Sequence, residues 1–598
     1  MNYRSMPLVA VVAALVAAPS IPAAESELPQ AVVKSREMVV TANPLATEAG
    51  EKILKRGGSA ADAMVAVQTV LGLVEPQSSG LGGGAFVVYY DAATDTLTTI
   101  DAREKAPAAA NENRFDGLGF SAAWQSGLSV GVPGTPRMLE YMHQRYGRLP
   151  WKPLFNPAKQ LAQKGFELTE RTSSQVQGLL DRNASCAERL YFRDPVALAY
   201  FADPATCEAK PAGTKIKNKD YADTLKAIAN KGADGFYTGE IAQDIADAVQ
   251  GDLALAGDMT TQDLKNYEVV ERPPVCIEYR SRNVCGMGPP SSGALAVGQI
   301  LGILENFDLS AYDGPLDEEM VHLFTQAGRL AFADRGLYVG DTDFVTVPVE
   351  GMLNKAYLES RANLITNKDT RAEPGTPPGE FDPTAPDNTA KNSGTSHVSI
   401  VDRYGNALSM TTTIESSFGN GVMVHGFLLN NELTDFSFNP TGSDGVPVAN
   451  RVQPNKRPRS SMSPTIVFDA QDNVELVTGS PGGSRIIGYT AQSIVNVFDF
   501  GFDPQEAINV PHYQNRNGST DIEKPIPGVT NDYDAEGLEQ ELEEACPASS
   551  PCGHSVNVRD LTSGLSLILV TEDGLVGGAD QRRDGTVGGS DYPGKSRR

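Results

Sequence analysis

Residues 392–436, NSGTSHVSIVDRYGNALSMTTTIESSFGNGVMVHGFLLNNELTDF, constrain the fold more tightly than any other stretch of this chain. From Ser396 to Asp402 polar and apolar residues alternate, with β-branched Val398, Ile400 and Val401, the period-two signature of a strand. Arg403-Tyr404-Gly405 supplies a turn and residues 406–413 return, so the segment reads as a β-hairpin. Pairing Asp402 with Asn406 places Thr395 opposite Thr413. A hydroxyl residue at a strand's first position, behind flexible Asn392-Ser393-Gly394 and faced by a second hydroxyl, suits a nucleophile that becomes a chain terminus. Cleavage between Gly394 and Thr395 would free an α-amine, which titrates near ~7.7–8, on the residue that carries the hydroxyl. Thr395 would then be nucleophile and base at once, and Gly394 could reach the backbone conformations that an internal attack requires. Spacing alone favours the plainer reading, an ordinary threonine in an ordinary hairpin.

Five blocks change that balance: DAREKAP from Asp101, TSHVSIVD from Thr395, LLNNELTDFS from Leu428, PNKRPRSSMSPTIV from Pro454 and GSPGGSRII from Gly479. In this order and over this length the chain resembles the γ-glutamyltranspeptidases, a family of N-terminal-nucleophile hydrolases. The resemblance implies an α+β fold, a four-layer αββα sandwich formed jointly by a large subunit, 25–394, and a small subunit, 395–598, cut from one precursor and held as a heterodimer. No cofactor is expected, and no closely spaced histidine cluster or Asp-rich loop suggests a metal site. Glutathione and other γ-glutamyl compounds would be donors; water, amino acids or dipeptides would be acceptors.

Residue by residue, the resemblance makes Thr395 the nucleophile and Thr413 the group that orients it and assists self-cleavage. Gly482 and Gly483 would form the oxyanion hole at a strand-to-helix turn, where outward N–H groups favour negative charge. Arg103, with Ser460 and Ser461, would hold the α-carboxylate of the γ-glutamyl group; the planar guanidinium suits two parallel hydrogen bonds to a carboxylate. Glu432 and Asp435 match the ligands of the α-amino group. Glu415 stands where one common form of the family has asparagine, which bears on substrate preference rather than on the reaction. The loop 436–453 corresponds to a lid, here short and without tyrosine or tryptophan, which predicts an open site. A cephalosporin (glutaryl) acylase of the same fold is the nearer alternative, and a non-catalytic exported binding protein the farther one.

The rest of the chain bounds these readings. Residues 1–24, with Arg4, an apolar run over 6–18 and Ala23-Ala24, read as a secretory signal peptide, so a periplasmic or secreted protein with no membrane span after its removal is expected. Six cysteines in close sequence pairs predict bridges Cys186–Cys207, Cys276–Cys285 and Cys546–Cys552. A formal net charge of −25 argues against nucleic-acid binding. Helices are expected over 46–56 and, from a capping box at Ser59 and Asp62, to about Val74. The run Ser79-Gly80-Leu81-Gly82-Gly83-Gly84 opens a strand rather than a helix and reads as a structural turn, not a phosphate loop. Thr135 with Pro136 reads as the cap and first turn of a helix to Tyr146. Amphipathic helices are expected within 220–249 and over 318–330, and a flexible stretch over 373–390. Residues 580–585 read as structural and the tail after Gly589 as disordered.

Overall fold

The computed structural model describes residues 28–252, 254–387, 394–544 and 552–592. The alternation of the hairpin is resolved in space by two seven-stranded antiparallel sheets stacked face to face. One sheet runs Thr586–Ser590, Glu37–Thr41, Gly394–Val401, Ala407–Glu415, Gly84–Asp91, Thr96–Ala102 and Val270–Arg272. The other runs Val32–Lys34, Gly574–Ala579, Ser566–Thr571, Val474–Thr478, Thr465–Phe468, Arg282–Gly286 and Val275–Tyr279. The nucleophile hairpin occupies the third and fourth places of the first sheet.

Period two explains the layering. Val39, Val87, Val398, Ile400, Leu408 and Met410 pack outward against helices that include Pro44–Lys55, Ala60–Val74, Thr135–Tyr146 and Lys219–Lys231. Met38, Val40, Val88 and Val401 instead meet Ile466, Val477 and Ile568 of the opposite sheet. Behind that sheet lie Gly293–Leu304, Glu318–Tyr338 and Ile486–Phe498. The architecture is αββα.

Polar residues on the hairpin's inner face set how the two sheets sit. Ser399 Oγ donates to the Ser566 carbonyl and Ser409 Oγ to the Thr478 carbonyl, both at 2.9 Å, while Thr465 N–H donates to Ser409 Oγ. Buried hydroxyls must find partners, and these find the backbone of the other sheet. His397 lies in the same layer, bonded to Thr411 Oγ1 at 2.9 Å; burial without a charged neighbour pulls its pKa down to about 3, so it stays neutral.

Local expectations are largely met. The capping box at Ser59 and Asp62 opens the helix Ala60–Val74. The glycine run leads into the strand Gly84–Asp91 by close approach: a Cβ on Gly83 would lie 2.0 Å from the Thr413 carbonyl oxygen. Cys276 and Cys285 face each other across a hairpin and are bridged, as are Cys186 and Cys207. Cys552 is also disulfide-bonded, and Cys546 lies outside the described residues. So do the expected signal peptide and residues 388–390 of the expected flexible stretch.

Three expectations are corrected. The helix Thr135–Tyr146 is capped by Gly134, and Thr135 is its first residue with a buried hydroxyl that finds no partner. The helix expected to end at Leu330 continues to Tyr338. The chain keeps its order from Gly589 to Tyr592: Thr586–Ser590 pairs with Glu37–Thr41, and Asp591 accepts a bond from Ser35 N–H at 2.9 Å, while the rest of the expected tail, 593–598, lies outside the described residues. No described helix is long and apolar enough to cross a membrane.

Candidate active site

The hairpin register puts Thr395 across from Thr413, with Asp402 N–H bonded to the Asn406 carbonyl. An irregularity falls between Gly394 and Thr395, where Gly394 pairs with Glu415. One hydroxyl organises this end of the hairpin. Thr413 Oγ1 donates to the Gly394 carbonyl at 2.7 Å, and accepts from Thr395 Oγ1 at 3.3 Å and from Glu415 N–H at 2.8 Å. That is the full capacity of a hydroxyl, one donor and two lone pairs. The peptide bond expected to break therefore has its carbonyl polarised by Thr413 and the attacking hydroxyl held beside it.

Thr395 and Thr413 line a pocket with Arg103, Arg335, Glu415, Glu432, Asp435, and further on with Arg459, Ser460, Ser461, Gly483 and Ser484. Three separated segments meet here. Arg103 follows the strand Thr96–Ala102, Glu432 and Asp435 sit on the short turn Glu432–Asp435, and Ser460 and Ser461 precede the strand Thr465–Phe468.

Charge is balanced across the pocket. Arg103 is 1% exposed; its guanidinium contacts Glu432, reaches Asp435 at 2.5 Å, and donates to the carbonyls of Pro458 and Arg459. These carboxylates raise its pKa further, so it remains a cation. Glu432 is pushed the other way: burial and the neighbouring Glu104, Asp435 and Glu415 raise its pKa in spite of Arg103. Behind it, Glu104 is fully buried with neither oxygen hydrogen-bonded, and burial pushes its pKa up to about 8. Glu415, in a left-handed conformation at φ 73°, is held by Ser416 Oγ and by Asn431 Nδ2 at 2.5 Å. A non-glycine residue held there is strained and signals a site that fixes a side chain.

The oxyanion candidates sit on the turn between Val474–Thr478 and Ile486–Phe498. Gly482 has φ 138° and Gly483 φ 62°, and a Cβ on Gly482 would lie 2.6 Å from Tyr489. Gly483 lines the pocket and Gly482 precedes it in the chain. Among the described residues neither glycine's N–H donates to a protein acceptor.

Two arginines were not singled out by sequence. Arg335 enters the pocket from the helix Glu318–Tyr338; its Nε donates to Ser292 Oγ and its Nη2 to Ser461 Oγ, each at 2.7 Å. No carboxylate lies within ion-pair distance among the described residues, and burial beside Arg459 lowers its pKa well below the usual arginine value. Arg583, in the segment read as structural, donates to the Thr395 carbonyl at 2.6 Å and so fixes the backbone of the nucleophile. Burial and Arg171 pull its pKa down to about 9. Buried charge in otherwise polar segments was the available signal, but burial is not written in a sequence without periodicity.

The loop 436–453 packs its two ends and exposes its tip. Phe436 and Val452 are buried, Phe438 stacks on Phe115 with ring centroids 4.7 Å apart, and Asn450 donates to the Asp435 carbonyl.

Comparisons with known proteins bear on the family and the fold. The family model described as gamma-glutamyltranspeptidase matches residues 46–590. A glutathione hydrolase proenzyme of Bacillus subtilis (strain 168) is 37% identical over 522 residues, covering 85% of each chain. One from Escherichia coli (strain K12) is 37% identical over 528 residues, covering 85% of this chain and 86% of its own. Among solved structures, a cephalosporin acylase from Bacillus halodurans superposes with TM-score 0.80 at 26% identity, over 97% of this chain and all of its own. A Helicobacter pylori gamma-glutamyltranspeptidase chain gives TM-score 0.51 at 34% identity, over 57% of this chain and 93% of its own.

Proposed function

The chain belongs to the γ-glutamyltranspeptidase family, and from its pocket we propose that it is made as a precursor that cuts itself between Gly394 and Thr395. Thr395 Oγ attacks the Gly394 carbonyl carbon, Thr413 Oγ–H stabilises the developing oxyanion, and the peptide nitrogen takes the proton and leaves as the α-amine of Thr395. Water then hydrolyses the ester. The two products stay together because each sheet contains hydrogen-bonded strands from both sides of Gly394. Residues 1–24 direct export to the periplasm or outside, where the cystine bridges are stable.

In the mature enzyme the same oxygen attacks the γ-carbonyl of glutathione or a related donor while the α-amine accepts its proton. Gly482 and Gly483 N–H groups hold the tetrahedral oxyanion, a contribution of about 2.7–4 kcal/mol per donor. The amine returns the proton to the departing nitrogen, leaving a γ-glutamyl ester on Thr395. Water, or an amino acid or dipeptide amine, then displaces Thr395 Oγ. Arg103, Ser460 and Ser461, joined by Arg335, bind the donor's α-carboxylate; Glu415, Glu432 and Asp435 bind its ammonium.

The observation that carries this reading is the pairing of charges at one pocket. Arg103 already lies between Glu432 and Asp435, so an incoming ammonium and carboxylate can each replace a partner at little electrostatic cost. Carboxylates crowded in a buried pocket are expensive unless a cation neutralises them. The similarity to a cephalosporin acylase raises a second reading, but a glutaryl group has no ammonium to offer three carboxylates. The test is release of cysteinylglycine from glutathione, with and without an acceptor dipeptide, against Thr395→Ala. Release that vanishes in the variant is expected. No release by fully cleaved protein would overturn the reading in favour of the acylase, and an uncut chain in favour of a binding protein.

A further inference from the structure

Glu75 stands where elementary electrostatics disfavours a carboxylate. It is 1% exposed, neither of its oxygens takes part in a hydrogen bond among the described residues, and it caps the C-terminus of the helix Ala60–Val74, the negative end of the helix dipole. Its own N–H bonds back to the Leu71 carbonyl at 2.8 Å, so the backbone fixes it there. Burying an ion without hydrogen bonds is costly unless something offsets it. Two arginines face it. Arg171, on the helix Glu170–Leu180, brings Nη1 to 3.6 Å from Glu75 Oε1, beyond hydrogen-bond reach, and that Nη1 is itself buried and without a hydrogen-bond partner among the described residues. The other is Arg583. Burial raises the Glu75 pKa, Arg171 and Arg583 both oppose the rise, and Asp584 adds to it.

Arg583 has the complementary need. Three of its N–H groups go to carbonyls: Nη1 to Thr395 at 2.6 Å, Nε to Ser563 at 2.9 Å and Nη2 to Thr562 at 3.3 Å. Carbonyls orient a guanidinium without neutralising it, and no carboxylate lies within ion-pair distance of this one among the described residues. The charged or titratable groups that face it are Arg171, Glu75, Asp580 and Tyr489. Arg171 repels it. Tyr489, on the helix Ile486–Phe498, has its pKa raised by burial and stays a neutral phenol. Asp580 is already committed: it accepts from Ser563 Oγ, from Leu565 N–H at 3.1 Å and from Arg582 Nη1 at 3.2 Å. Among the groups facing Arg583, Glu75 is the carboxylate with both oxygens uncommitted.

Resting on the reading of Thr395 as nucleophile, we propose that Glu75 is a positioning residue for the reaction: its carboxylate keeps Arg583 charged and in place, and Arg583 in turn holds the nucleophile by its carbonyl. Once the bond to Gly394 is cut, the chain continues from Thr395 in one direction only. Any rotation of that end carries the α-amine and Oγ with it, and both must be aligned for attack, where a small misplacement costs orders of magnitude in rate. Glu75 touches neither the donor nor the reacting atoms. Its effect therefore falls on kcat and its pH dependence rather than on donor binding.

The test is the pH profile of kcat for release of cysteinylglycine from glutathione by fully cleaved protein, since kcat reports the groups of the bound complex and not those of the free donor. Wild-type kcat should rise as the α-amine of Thr395 sheds its proton near ~7.7–8. It should fall again as Arg583, whose pKa burial and Arg171 pull down to about 9, loses its charge. Glu75→Gln should bring the falling limb down by roughly one unit, the low end for removal of an opposite charge, which lowers kcat about fivefold at pH ~9 and leaves KM within about twofold. Arg171→Gln, at a partly exposed position, should move the same limb upward, because it removes a repulsion and leaves Glu75 to Arg583 alone. Opposite shifts in the two variants are not what lost packing produces. A limb unmoved in Glu75→Gln, a loss confined to KM, or a wild type with no fall up to pH ~10 overturns the proposal. Should Glu75→Gln fail to fold or cleave, Arg171→Gln decides, a limb that stays or moves downward counting against. Cleaved wild-type protein that releases no cysteinylglycine overturns the transfer reading itself and the positioning role with it.

Discussion

Replacing Thr413 with valine keeps the shape of the side chain and deletes its hydroxyl. Three bonds vanish together: the donor to the Gly394 carbonyl at 2.7 Å, the acceptor for Thr395 Oγ1 at 3.3 Å, and the acceptor for Glu415 N–H at 2.8 Å. Only the first strengthens as negative charge develops on the Gly394 oxygen. Loss of one such donor costs about 2.7–4 kcal/mol of barrier, or roughly 10²–10³ in rate. The orphaned Glu415 N–H is buried and costs a further ~1–3 kcal/mol, which falls on stability rather than on the rate. Thr413→Ser retains all three bonds and should cleave within about tenfold of wild type, allowing ~1 kcal/mol for the lost methyl. The assay follows purified precursor on denaturing gels, with N-terminal sequencing of the small product to establish Thr as its first residue. Thr413→Val that matures at the wild-type rate would refute the reasoning. Serine and valine variants equally slow would trace the effect to the methyl group's packing instead.

Arg103→Lys keeps the charge but loses the fork that spans Glu432, Asp435 and two backbone carbonyls, so KM for glutathione should rise ~30- to 100-fold, the loss of about 2–3 kcal/mol for charge-assisted bonds; an unchanged KM in steady-state kinetics would remove Arg103 from the carboxylate site. Because burial pushes the Glu104 carboxyl up to about 8, the folded chain keeps a proton that the unfolded chain sheds above a pKa near 4.5. That contribution is therefore fully present below pH ~4.5 and is lost as pH rises toward 8, with a slope of at most ~1.4 kcal/mol per unit. Glu104→Gln should flatten this decline in denaturant unfolding of the uncut Thr395→Ala chain, and identical pH slopes would exclude Glu104 as its source. Opening the nine-residue Cys276–Cys285 loop with paired serines should lower stability by roughly 2–3 kcal/mol in the chain-entropy description; melting within 1 °C of the parent would contradict it.

What the sequence made legible follows from what local physics encodes. The hairpin register needed only alternation and a turn, since a one-residue slip would have turned Val398 and Ile400 from the helices to the inter-sheet layer and Ser399 the other way. Arg103, Glu432, Asp435, Ser460 and Ser461 were reached through motif blocks, because no local pattern says that residues hundreds of positions apart share a pocket. Arg335 escaped for a related reason. The end of its helix carries a buried polar network as well as apolar contacts: Asp334 binds Gln299, Tyr357 and Arg361. That network, with Arg335 next in the chain, interrupts the apolar positions Ala331, Leu337 and Tyr338 of the last turns. The first residues after Gly589 were misjudged because no local pattern announced the edge strand, where glycine permits close approach: a Cβ on Gly589 would lie 2.3 Å from the Glu37 carbonyl oxygen.

The same sheet would keep the chain together if it is cut, as proposed, between Gly394 and Thr395. Gly394 begins the third strand of seven, and the strands beside it come from both sides of the cut: Glu37–Thr41 from before it and Ala407–Glu415 from after it. Breaking the bond leaves the ladder from Val398 to Val401 intact on both edges. It changes only the partners at the strand's first residue. Thr413, which donates to the Gly394 carbonyl before the cut, loses that acceptor once the carbonyl departs, and its hydroxyl proton is then available to the nucleophile of Thr395. Arg583 holds the Thr395 carbonyl, on the side of the residue that does not change. One hydroxyl can therefore serve maturation and then catalysis without the backbone around it moving.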